Sequence, residues 1–193
     1  MKTLFFKPFE RYQESHLLIV GVGALLAGSF FGAIFGARFD GVLDLHFRRD
    51  VSFYTVLLDN IVNVLSLFIP LFILGKTINS HTRVVDVFNT VLIARIPYMV
   101  LPLSNLNGLI TQNTSELMEV ALNPELASEI SSSTYIMLTV FGLISLGIMV
   151  WMITLLFNGF KISVNLKNKM HIIWFGLSIL LAEILSKLII NKL

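Results

Sequence analysis

Five long apolar runs organise this chain. Each is bounded by charged or turn-forming residues. A bilayer core about 30 Å thick needs roughly 20 largely apolar helical residues to cross it, at 1.5 Å of rise per residue. The runs that meet this length are residues 17–37, 51–75, 84–104, 134–160 and 170–190. They predict an all-α fold, a polytopic membrane bundle of five transmembrane helices. Residues 1–16 form an N-terminal arm, 17–190 the transmembrane domain, and 191–193 a short tail. The first and fourth runs contain no charge. The second is interrupted by Asp59, Asn60 and Asn63, the third by Asp86, Asn89 and Arg95, and the fifth by Glu183 and Lys187.

Between the runs, Arg38–Asp50 mixes apolar residues (Phe39, Val42, Leu43, Leu45, Phe47) with Arg and Asp. It reads as a helix lying at the interface. The long connection 105–133 holds Glu116, Glu119, Glu125 and Glu129 and no Lys or Arg. Ser115–Asn123 within it predicts a short helix that stops before Pro124. The first run is longer than the 7–15 residues of a signal-peptide core, and Phe35-Gly36-Ala37 lacks a small residue three before a cut. It therefore reads as an uncleaved first span.

Composition agrees with lipid as solvent. Hydrophobic residues make up 55% and charged residues 13%, where a soluble domain carries about 25% charged. The net charge of +2 and the scatter of its basic residues give no nucleic-acid footprint. The lack of cysteine excludes disulfides, thiolate metal sites and a thiol nucleophile.

Orientation follows from Lys and Arg. With the N-terminus inside, the inner segments hold Lys2, Lys7, Arg11, Lys76, Arg83, Lys161, Lys167 and Lys169. The outer ones hold Arg38, Arg48, Arg49 and Lys192. The expected location is a cell membrane, with a cytoplasmic N-terminus and a non-cytoplasmic C-terminus. Arg48 and Arg49 oppose this assignment.

Two constellations stand out. Ala24, Gly28, Gly32 and Gly36 recur every four residues and form a small-residue stripe suited to close helix packing. The competing reading is a path lined by bare backbone. The second constellation is an intramembrane polar cluster of Asp59, Asn63, Arg95 and Glu183. Asp59, Arg95 and Glu183 lie roughly 10–13 Å from the outer ends of their spans. Ionisable groups at such depth turn inward. Either Arg95 pairs with Asp59 or Glu183 and staples the bundle, or the cluster lines an ion or proton path. Asp59, Asn63, Ser66 and Pro70 share one helical face, and Glu183 with Lys187 forms an i,i+4 pair. His16, His46, His81 and His171 are scattered, so no metal site is predicted. No nucleophile elbow or phosphate-cradling glycine loop occurs, so no catalytic residue and no cofactor is expected. Asn113-Thr114-Ser115 fits a glycosylation acceptor, relevant only in a eukaryotic secretory compartment.

The layout of five spans, a cytoplasmic arm, a very short outer tail and a compact loop before the third span resembles the Yip family of Ypt/Rab-interacting proteins, in its prokaryotic type. Leu74-Gly75-Lys76 precedes the third span. The stretch Arg95-Ile96-Pro97-Tyr98-Met99-Val100-Leu101-Pro102-Leu103 is similar to the family's aromatic-and-proline segment. The resemblance implies a non-enzymatic membrane protein that organises membranes or acts as a scaffold, and for eukaryotic members association with small GTPases. Here the sixteen-residue arm offers little cytosolic surface, so GTPase binding is not carried over. The expected partners are the bilayer and a membrane protein or second copy of the chain. The alternative function is a small transporter or channel using the intramembrane charges.

Overall fold

A computed structural model describes residues 5–123, 125 and 131–193. Five helical spans, each long and apolar enough to cross a membrane, make an all-α bundle. Helix α1 is Glu14–Phe35, α2 is Phe53–Ile78, and α3 is Val84–Ala94, followed by a 3-10 segment Tyr98–Gly108. Helix α4 is Leu109–Leu122, α5 is Ser132–Ser163 and α6 is Met170–Ile190.

The helix ends have local causes. Helix α1 stops at Gly36, whose φ of 68° closes a left-handed cap with its N–H on the Gly32 carbonyl, a backbone state that glycine adopts without Cβ strain. Ser52 caps α2 by accepting from the Thr55 N–H at 3.1 Å. The third span breaks at Pro97. Proline has no N–H for the Ile93 carbonyl, so Ile96 donates to it instead at 3.2 Å and the chain tightens into 3-10 geometry. Asn105, Leu106 and Asn107 then leave helical conformation, and the chain turns into α4. That helix starts earlier than the sequence pattern predicts. Its expected stop at Pro124, and Glu129, lie outside the described residues.

Helix α2 packs on α6, α3 packs on α5, and α1 lies against α2, α3 and the 3-10 segment. The core between them includes Leu67, Leu71, Val91, Leu92, Met152 and Phe160. Helices α5 and α6 leave most of their surface uncovered, with Leu143, Val150, Ile173 and Leu188 exposed. In a bilayer these faces meet acyl chains, where burial brings no hydrophobic gain.

The connection between α1 and α2 departs from expectation. Residues 38–50 do not form an interfacial helix. Strand β1 (Ala37–Arg38) pairs antiparallel with β2 (His46–Phe47), and Arg48 N–H donates to the Gly36 carbonyl at 2.7 Å. The physical reason is the period of the segment. Its apolar and charged residues alternate by about two, which suits extended chain rather than a helix. The tip of this ribbon turns into the bundle: Ala37, Phe39 and Val42 are fully buried.

Candidate functional site

The buried polar residues of the spans converge on this ribbon. Non-helical backbone inside a bundle carries N–H and C=O groups with no ladder to satisfy them, and each costs several kcal/mol if left unpaired in hydrocarbon. Side chains from three helices meet that need. Asn63, about 15 Å along α2 from Phe53, donates to the Phe39 carbonyl at 2.7 Å. Arg95, where α3 ends, donates to the Val42 carbonyl at 3.1 Å. On α6, the Ser186 hydroxyl accepts from the Val42 N–H at 3.2 Å and the Glu183 carboxylate from the Leu43 N–H at 2.7 Å.

Charge pairing follows the same plan. Arg38 on β1 grips Asp59 with two hydrogen bonds of 2.8 Å each, the fork geometry that suits guanidinium to carboxylate. This contact holds the Arg38 guanidinium above its ordinary pKa. Lys187 bridges the ribbon and α6, lying 2.8 Å from Asp44 and 3.3 Å from Glu183. Asp40 pairs with His46 across the ribbon, with Arg38 at 3.9 Å. Burial pushes the Asp40 carboxyl up, but the His46 hydrogen bond and the charges of Arg38 and Arg48 outweigh it and leave it below the usual carboxylate range.

The structure therefore corrects the expected pairing of Arg95. It makes no ion pair with Asp59 or Glu183 among the described residues. Arg95 is fully buried and reaches Asn60 Oδ1 at 3.4 Å, with Tyr98 beneath its guanidinium at 5.8 Å. Asn60 continues to Ser29 at 3.0 Å, and Ser29 to the Leu25 carbonyl at 2.8 Å. A polar chain thus runs from the ribbon through α2 to α1. Arg95 directly follows the last residue of α3, a position where a cation suits the helix dipole. Arg95 Nε and Asn63 Oδ1 have no partner among the described residues.

All four cluster residues, Asp59, Asn63, Arg95 and Glu183, contact the ribbon, so the structure gathers them around one element rather than around one another. Sequence reasoning missed Arg38, Asn60 and Ser186. Asn60 and Ser186 stood next to the charged residues Asp59 and Lys187 within apolar runs, a signal that was present. Arg38 read as a flanking loop charge.

The small-residue stripe is packed within the chain. A Cβ on Gly28 would lie 2.6 Å from Met99 Cβ, and one on Gly32 would lie 2.6 Å from Val56 Cγ1. Ala24 is half-buried against the core, and Gly36 serves as the cap. Gly21, outside the four-residue repeat, sits equally close to Leu92. Gly41 lets the ribbon tip approach α6, since a Cβ there would meet the Glu183 carboxylate at 2.6 Å.

Cavities of about 380 to 710 Å³ open elsewhere, and none of these four is lined by Asp59, Asn63, Arg95 or Glu183. The chain matches no protein-family model, no curated protein and no solved structure.

Proposed function

We propose that this protein is a non-enzymatic, multi-pass membrane scaffold that organises its bilayer or a membrane partner, of the Yip-like type that its layout resembles. The observation that carries the reading is the commitment of the intramembrane polar groups. Asp59, Asn63, Arg95 and Glu183 each bind the 38–47 ribbon, which leaves them a structural task. A conduction path needs such groups facing water.

The transporter reading draws on one observation, the two buried atoms Arg95 Nε and Asn63 Oδ1 that have no partner among the described residues. Flux assays separate the two. Purified chain in sealed vesicles carrying pH- and potassium-sensitive dyes should leak no faster than protein-free vesicles. A flux that disappears in Asp59→Asn or Arg95→Leu would replace the scaffold with a transporter. The Lys/Arg bias supports a cytoplasmic N-terminus. Reporters fused at Asn113 and Lys167 should then lie on opposite sides, with Lys167 cytoplasmic, and reporters on one side would refute that topology.

A further inference from the structure

At the membrane end where α1 and α3 begin and α5 ends, two cavities adjoin. The first, of about 670 Å³, has a mixed lining, polar at Glu14, Arg83, Asp86 and Asn89 and apolar at Phe9 and Ile162. The second, of about 480 Å³, has an almost wholly apolar lining that includes Val20, Ile93, Pro97, Trp151 and Leu155. Tyr12 and Leu17 form part of both walls. The N-terminal arm straps the apolar cavity to α5: Trp151 Nε1 donates to the Phe5 carbonyl and Asn158 Nδ2 to the Phe6 carbonyl, each at 2.9 Å.

The two cavities follow the polarity gradient of a lipid leaflet. Arg83 and Ser163 mark the ends of their helices. Pro97 and Trp151 lie about 15–20 Å further in by helical rise, within the reach of an acyl chain. The polar end carries unused acceptors. Asn89 is 2% exposed. Its Nδ2 is taken by the Glu14 carbonyl at 3.0 Å, while its Oδ1 has no partner among the described residues. A buried acceptor left so is costly. Asp86, three residues earlier on the same helical face, makes no ion pair among the described residues, whereas Glu14 is occupied by Arg83 at 2.5 and 2.7 Å. Counted together, Glu14, Asp86 and Arg83 leave one net negative charge. The group that completes this site is a cation bearing N–H donors, and Phe9 adds aromatic surface that suits a cation, while the Tyr12 ring is already taken by Arg11 at 5.8 Å.

We propose that these cavities together bind a phospholipid with a primary-ammonium headgroup, of the phosphatidylethanolamine class. The ammonium meets Asp86 and Asn89 Oδ1, and one acyl chain fills the apolar cavity beneath the arm. Phosphatidylcholine has the charge but no N–H donor, and phosphatidylglycerol lacks the cation. The inference goes beyond the scaffold reading and does not rest on it.

The test is native mass spectrometry of the full chain in mild detergent, titrated with dioleoyl phosphatidylethanolamine, phosphatidylcholine or phosphatidylglycerol. Phosphatidylethanolamine should be retained about tenfold more tightly than either other lipid, the factor equivalent to one charge-assisted hydrogen bond. Asp86→Asn and Asn89→Leu should each erase that preference, and Asn89→Leu should leave retention of phosphatidylcholine unchanged, which also reports that this variant folds. Val20→Trp, which fills the apolar cavity from an exposed position, should weaken all three lipids. Equal retention of the three by the native chain, or a preference that survives both headgroup variants, overturns the proposal.

Discussion

Arg38 holds Asp59 through two hydrogen bonds of 2.8 Å each, joining the ribbon to the first third of α2 across 21 residues of chain. Asp59 is 1% exposed, so removing Arg38 alone strands a buried carboxylate, a loss of about 3–5 kcal/mol for buried pairs. Arg38 is 17% exposed, and the water reaching it places the expected loss at the low end, about 3 kcal/mol. Arg38→Leu should cost more than Arg38→Leu combined with Asp59→Leu. Unfolding measured in detergent should return a coupling energy above about 1 kcal/mol. Additive effects would mean that the pair does not tie the ribbon to α2.

Glycines on α1 should sort by what faces them. Gly28→Ala forces a methyl against Met99 Cβ, and overpacking of this kind costs about 1–3 kcal/mol. Gly23 has open space within 4 Å, so Gly23→Ala should be neutral or stabilising by up to about 1 kcal/mol through helix propensity. Thermal unfolding of the two variants checks the order. Equal melting temperatures would show that the stripe faces lipid.

Much of the architecture was legible because lipid imposes one length on every span. The five apolar runs follow from that constraint, and so do the inward turn of Asn63 and the close packing of Gly28. The ribbon was not legible. Phe39, Val42 and Leu43 are bound through backbone atoms, which all residues share, so no side-chain type at those positions announced their partners. Arg95 misled for a related reason. A buried cation suggests an acid, yet Arg95 instead meets the Val42 carbonyl, the Asn60 amide and the Tyr98 ring, with its Nε unpartnered among the described residues. The break at Pro97 was written in the sequence as a proline.

Acid should loosen the ribbon. The native Asp40 carboxyl lies below its ordinary value. A carboxyl depressed in this way contributes its stability in full above the unfolded pKa of about 3.9, and loses it as pH falls through the lower native value. Native chain and Asp40→Asn should therefore differ in melting temperature at pH 6, with the difference shrinking progressively as pH falls below about 4. A difference that holds unchanged down to pH 2 would rule out Asp40 as the acid-sensitive group.

Buried polar side chains of the spans hold the 38–47 ribbon inside the bundle. The native chain has no cysteine, so a single Val42→Cys substitution reports the ribbon tip without background. The measurement is its labelling rate with a membrane-impermeant maleimide in sealed, outside-exposed vesicles, with Arg49→Cys as the freely reactive control. Val42 is fully buried and should label at least about tenfold more slowly than the control, because reaction requires local opening. Adding Arg95→Leu or Asn63→Leu removes a carbonyl's partner, a loss of about 1–3 kcal/mol, and should raise the Val42→Cys rate about 5-fold or more while leaving the control unchanged. A tip that labels as fast as Arg49→Cys in the native background, or stays protected after both partners are removed, contradicts the account.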